Sequence, residues 1–242
     1  MSPTPRRPAT GSREHPAAMA DGSFSAHLRA GAAGVWEAQH THPFLRGIAD
    51  GTLSTERFEH LLRQDYVFLI DYARLLGLGA ARAPDLSTMR RFAELTGAVL
   101  STEMDLHRSF AGELGITGAQ LEAEVAAPTT QGYMDFLVRT AAVGDLTELA
   151  GALLPCMWGY CEIGERLAAA GRSPQESYAR WVDAYASPDF AQLAQWCRGL
   201  VDQLAEGAPP PVLARVQRAF DVSSRYELAF WEMAWTMERW PH

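Results

Sequence analysis

There is no lysine in this chain: all 21 basic residues are arginine. A lysine Schiff base is thereby excluded, and with it pyridoxal-phosphate chemistry of the usual kind. Only three cysteines occur, Cys156, Cys161 and Cys197, with no C-x-x-C spacing among them. That pattern argues against a disulfide framework and a zinc cluster, and for a reducing, cytoplasmic compartment. Net charge is −8, which disfavours a nucleic-acid partner because phosphate binding needs a basic face. No apolar run approaches a membrane span, so no membrane partner is expected. Sustained period-2 alternation is missing, as are internal repeats and a glycine-rich phosphate loop.

What is present points to helices. The chain has 242 residues, 48% of them hydrophobic, ample for one large domain with a real core. The interior apolar residues are Leu, Ala, Met and Phe at helical spacing rather than β-branched runs. The expected class is all-α, a compact bundle of long helices with short connections. Residues 1–21, rich in Pro, Arg, Ala and Ser, are expected to form a disordered tail, and residues 22–242 a single domain. A first helix is expected from Ser23 to Gln39, and a long one capped by Ser54. The next is expected to be capped by Ser87 and to run to Leu114. Thr117 caps a short helix before Pro128, and a further helix ends at Gly144. Ser173-Pro174 and Pro188 each open another, and a last long helix follows the proline run at 209–211.

The segment from Asp145 to Ala170 is apolar enough to be buried, yet contains Pro155, Cys156 and Tyr160. Proline cannot donate to the carbonyl of Gly151, so a kink and a freed acceptor are expected beside Cys156. Cys156 and Tyr160 are i, i+4 and share a face. Taken alone, Cys156 reads more simply as a small buried apolar residue. Three polar sets could carry chemistry. Asp65, Tyr133, Cys156, Tyr160, Tyr185 and Glu227 offer a thiol, two carboxylates and several phenols on different helices. Asp65 sits at i, i+3 and i+7 with Phe68 and Tyr72, and an acid on such an apolar face needs a partner or ligand. Glu37 and His40, with Glu103 and His107, offer two carboxylate–histidine pairs of the kind used in dimetal oxidases. The aromatic stripe of Phe230, Trp231 and Trp235 reads as core, with Glu227 an odd acid inside it.

Several stretches together resemble the TenA proteins, the thiaminase II or aminopyrimidine aminohydrolase family, which have the heme-oxygenase-like all-α fold. They are His42-Pro43-Phe44, Asp50-Gly51-Thr52-Leu53, Gln64-Asp65, Glu103-Met104 with Leu106-His107, and Pro128-Thr129 with Tyr133. They continue as Leu153-Leu154-Pro155-Cys156 with Trp158, Tyr160 and Glu162, Trp181 with Tyr185, and Ser223-Ser224 with Tyr226-Glu227 and Phe230-Trp231. The resemblance implies the thiol-bearing branch. It makes Cys156 the nucleophile and Glu227 the proton-transfer acid. Asp65 would hold the ring nitrogen and exocyclic amine, and Tyr133, Tyr160 and Tyr185 would line the site. The implied reaction converts 4-amino-5-aminomethyl-2-methylpyrimidine to the hydroxymethyl pyrimidine in thiamine salvage, with thiamine itself also cleaved. No cofactor or metal is implied, and a homotetramer is. The chain departs from the family at Phe68, where the typical member carries a tyrosine beside the bound ring. The other readings are a heme-oxygenase-like dimetal oxidase and a non-catalytic pyrimidine-binding or regulatory protein.

Overall fold

Ser54 opens the longest helix, α4 (Thr55–Arg82), by accepting the Arg57 N–H on its side chain, as its position before an apolar-periodic run predicts. The structure, a computed structural model, describes residues 22–241; the expected tail at 1–21 lies outside them. Among the described residues every regular element is helical, and no helix is long and apolar enough to cross a membrane.

Before α4 come α1 (Phe24–Gly31), α2 (Ala33–His40) and α3 (Pro43–Asp50). The single helix expected over Ser23–Gln39 is therefore two. Glycines at 31 and 34 weaken helix continuity there, and the break at Ala32 lets the two halves dock separately. Ser25 on α1 bonds Asp202, while Trp36 on α2 donates its indole N–H to Ser224.

After α4 comes α5 (Leu86–Ala98), capped by Asp85 rather than Ser87: Asp85 Oδ1 accepts the Thr88 N–H, so the helix starts earlier than expected. The chain then passes without interruption through a π-helical turn, Val99–Glu103, into α6 (Met104–Glu113). Periodicity predicts a single helix here, and the wide π turn within it changes the rotational phase of α6 relative to α5. Thr117 and Gln120 form a full capping box for α7 (Gly118–Glu122). Pro128 begins α8 (Pro128–Val143).

The Cys156 helix, α9 (Leu146–Ala170), starts at an Asp145 cap and stops before Gly171, which has φ 120°. It stays helical through Pro155. Around it pack α8, α10 (Glu176–Tyr185), α11 (Pro188–Ala205) and α12 (Pro210–Thr236), so α9 is the central rod of this half. The start of α10 falls later than Ser173-Pro174 because the Ser173 hydroxyl is committed to the Ile48 carbonyl on α3. Two glycines let neighbours approach α9 closely. A Cβ on Gly151 would lie 2.6 Å from Val216 Cγ1 on α12, and one on Gly164 would lie 2.6 Å from the Tyr185 carbonyl carbon. The core is one continuous cluster, with Trp36, Trp181 and Trp231 among its largest fully buried side chains.

Candidate active site

The helical spacing that puts Asp65, Phe68 and Tyr72 on one face of α4 turns that face toward Cys156 and Tyr160 of α9. Tyr133 of α8, Tyr185 of α10 and Glu227 of α12 complete the wall of one cavity of about 310 Å³. The structure thus brings together every residue singled out for the thiol reading, from five helices. Two further acids reach the cavity, Glu103 and, at its exposed rim, Asp189; no arginine or histidine lines it.

Burial governs the electrostatics. It pushes Asp65 and Glu103 up to about 7 and Glu227 up to about 8, because a charged carboxylate loses its hydration here; at Glu103 the His107 charge offsets that only in part. Glu227 is only 2% exposed. The Cys156 thiol is surrounded by protein yet reaches the cavity surface. Burial, and then the charges of Glu227, Glu103 and Asp65, push its pKa well up. Near neutral pH it is therefore a thiol and not a thiolate. The Tyr72 hydroxyl neighbours it and pulls the other way, but without reaching hydrogen-bonding geometry, which leaves that hydroxyl unpartnered.

Aromatic rings hold these groups in place. Phe68 packs 5.1 Å from Tyr133, 5.6 Å from Tyr72 and 5.8 Å from Phe230. Tyr160 lies 4.9 Å from Tyr185 and 5.2 Å from Trp231. Trp231 is fully buried, so its part of the α12 stripe is core, as its spacing suggests. The Tyr133 hydroxyl lies 2.5 Å from Glu227 Oε1 and 2.8 Å from Ser223 Oγ. The Ser223 hydroxyl donates to the Ala152 carbonyl at 2.7 Å. Ser223 thus bonds the carbonyl next to that of Gly151, the one that Pro155 was expected to free.

The other cysteines face elsewhere or lie deeper. Cys161 turns to Glu165 at 3.6 Å, and Cys197 lies at the cavity's back, pushed up to about 12 by burial. The carboxylate–histidine pairs do not form one centre. Glu37 and His40 meet Glu162, Arg29 and Arg166, whereas His107 Nε2 lies 3.4 Å from Asp65 Oδ2 with Glu103 beside it. Among the described residues no cluster of three or more His, Cys, Asp or Glu is arranged to hold a metal ion. Sequence reasoning assigned Glu103 and His107 to that metal set and left Tyr72 and Ser223 without a role. For Tyr72 the signal was available, since i+7 from Asp65 is the same face.

Residues 29–237 match the TENA/THI-4/PQQC family. The chain is 42% identical over 219 residues to the aminopyrimidine aminohydrolase of Halalkalibacterium halodurans, covering 90% of this chain and 98% of that one. Among solved structures it superposes on a TenA homologue from P. horikoshii OT3 with a TM-score of 0.83. The identity there is 30%, over 89% of this chain and 99% of that one. A domain from Shewanella denitrificans described as having a heme oxygenase-like fold superposes with a TM-score of 0.72. At 14% identity over 88% of this chain and 92% of that one, it shows the shared fold alone.

Proposed function

The chain belongs to the TENA/THI-4/PQQC family, and from that premise we propose that it is an aminopyrimidine aminohydrolase of thiamine salvage with Cys156 as nucleophile. The observation that carries the reading is the meeting of the Cys156 thiol and two buried carboxyls, Asp65 and Glu227, in a cavity without a basic side chain. An aminopyrimidine is flat, is rich in N–H donors and becomes cationic when its ring nitrogen is protonated. Stacked aromatics and acids suit all three properties.

The chemistry starts from neutral groups. Asp65 grips the ring nitrogen and exocyclic amine. Glu227 passes its proton to the substrate's ring system while Cys156 Sγ bonds to a ring carbon, and the thiol proton returns to Glu227. The electron pair held on the ring then expels the side-chain amine, which leaves as ammonia with the Glu227 proton. Water adds to the exocyclic methylene and gives a proton back to Glu227. Loss of the Sγ–C bond finally restores the thiol and the aromatic ring. The net change is amine plus water to alcohol plus ammonia. Raised carboxyl pKa values serve this sequence, because an acid that is half-protonated near neutrality can both give and take.

The test is incubation with 4-amino-5-aminomethyl-2-methylpyrimidine. Ammonia and the hydroxymethyl product are expected in equal amounts, and their absence would leave a binding protein only. Cys156→Ser is expected to abolish turnover with the fold intact, since a hydroxyl is a weaker nucleophile than a thiol and far harder to deprotonate as it attacks. Cys161→Ser is expected to retain it; equal loss from both would show that the wrong thiol was chosen. Three free thiols support a reducing, cytoplasmic setting. Exposed Leu86, Met89, Leu100 and Leu106 on the α5–α6 arm support assembly as a homotetramer, which a monomer by light scattering at micromolar concentration would refute.

A further inference from the structure

Three short oxygen–oxygen contacts connect Glu227 to the backbone of α9: Glu227 Oε1 to Tyr133 Oη at 2.5 Å, Tyr133 Oη to Ser223 Oγ at 2.8 Å, and Ser223 Oγ to the Ala152 carbonyl at 2.7 Å. Each needs a hydrogen between its two oxygens, since separations this short are those of O–H···O bonds. Tyr133 and Ser223 bring one hydrogen each, and a carbonyl brings none. The remaining hydrogen has to come from Glu227. Counting from the carbonyl end also gives the direction. Ser223 donates to Ala152, Tyr133 donates to Ser223, and the Glu227 carboxylic acid donates to Tyr133.

We propose that Ser223 is a positioning residue that keeps Glu227 protonated in the resting site, by taking the Tyr133 hydrogen for itself so that the phenol is left to accept. If Glu227 ionised, one of the contacts would have to open. The surroundings resist that opening. Ser223 and Ser224 are fully buried, and this turn of α12 is pinned from α2 by the Trp36 N–H on Ser224 Oγ and the Gln39 amide on the Ser224 carbonyl. Tyr133 is held from its open face by Tyr226, with ring centroids 5.1 Å apart and planes 7° from parallel.

The groups that face the Glu227 end of the cavity do not supply a compensating cation. They are Asp65 and Tyr72 from α4, Glu103 from the π turn, Cys156 and Tyr160 from α9, and Tyr185 from α10. His107 stands behind Asp65, off the cavity wall. Burial, the largest influence on Glu227, and the Asp65 charge favour the protonated acid, whereas hydrogen bonds received from Tyr133 and Cys156 would favour the carboxylate. The hydrogen count removes the first of these by making Tyr133 the acceptor.

The inference rests on the proposed reaction, in which Glu227 gives the first proton, but its test needs no substrate. Infrared difference spectra of the ligand-free protein against Glu227→Gln isolate the carbonyl stretch of the protonated side chain. Wild type is expected to show it at pH 7 and to lose it around pH 8. In Ser223→Ala the Tyr133 hydrogen is free to turn to Glu227, and the loss is expected at lower pH by about one unit, a tenfold change in proton affinity. Ser223→Thr, which keeps a hydroxyl, is expected to restore the wild-type midpoint. Turnover should shift in parallel, with the fall on the alkaline side moving to lower pH in Ser223→Ala and the acid-side rate little changed. A wild-type Glu227 ionised at pH 7, or a Ser223→Ala midpoint equal to wild type, overturns the proposal. The wild-type measurement does so even if the alanine variant fails to fold. A normal infrared result in a protein without aminohydrolase turnover would remove the reaction and leave the proton where the geometry puts it.

Discussion

At position 68 the chain presents a phenylalanine to a cavity that four phenols, Tyr72, Tyr133, Tyr160 and Tyr185, also line. The ring is buried against Tyr72, Tyr133 and Phe230, so its packing role is plain, and what it lacks is a hydroxyl one helical turn from Asp65. The nearby Tyr72 hydroxyl has no partner, so the cavity wall still carries a free donor close to Cys156. Phe68→Tyr would add a second one. A hydrogen bond to a charged or developing-charge group contributes about 1.5–3 kcal/mol, about tenfold to a hundredfold in rate. A rise of about that size in kcat/KM is expected on the aminomethylpyrimidine, measured beside the parent. An unchanged value would mean that the position is packing only. Asp65, Cys156 and Glu227 could be singled out beforehand as polar groups on apolar faces. Ser223 could not, because a buried serine in a helix acquires meaning only from the oxygens opposite it.

Among the elements, α9 depends on close approaches that only glycine permits. An alanine Cβ at position 164 would meet the Tyr185 carbonyl carbon at 2.6 Å, the Ala186 nitrogen at 2.7 Å and the Tyr185 oxygen at 2.8 Å. All are backbone atoms, so no side chain can swing away and α10 itself must move, taking the Tyr185 ring with it. Gly164→Ala is expected to cost about 1–3 kcal/mol, a drop in Tm of about 2–12 °C for a chain of this size, and to raise KM. Gly77→Ala on α4, where nothing lies within 4 Å of the added carbon, is the control. It is expected to stabilise by about 0.5–1 kcal/mol through helix propensity. Equal melting of the two variants would show that α10 gives way more easily than its backbone contact implies. The π turn before α6 has a comparable effect on the site, since it lies where Glu103 leaves the α-helical phase and reaches the cavity.

For the molecule as a whole, three acids that lose hydration in the cavity wall tie stability to pH. Their folded-state values, about 7 for Asp65 and Glu103 and about 8 for Glu227, lie above the unfolded values of roughly 4. The stabilisation they contribute is complete below the unfolded values and is lost as pH rises through the folded ones. Buried His40, His60 and His107 act oppositely. Burial lowers them from 6.5, so their contribution is present above 6.5 and is lost as pH falls. Between pH 6.5 and about 8 the histidines are silent and the acids are not. Tm is therefore expected to fall across that window, and to fall less in Glu227→Gln. A Tm that rises across it would show that these carboxyls are ionised in the folded protein.

The sequence by itself determined the all-α class, most helix ends and the residue types available for chemistry. Those signals are local: a 3.6-residue period, Ser54 and Thr117 as caps, Pro188 in a first turn, Gly171 as a stop, and no lysine at all. The ordered resemblance to a known family implies that Cys156, Asp65 and Glu227 act together. Tertiary structure alone decided that these groups meet in one cavity without a basic side chain, and that Glu103 joins them while Glu37 and His40 go to an arginine-rich surface cluster. It alone aligned Ala152, Ser223, Tyr133 and Glu227 oxygen to oxygen. Helix formation is governed by neighbours a few residues apart. Convergence depends on how helices far apart in the chain rotate and pack against one another, and no spacing along the chain encodes that rotation.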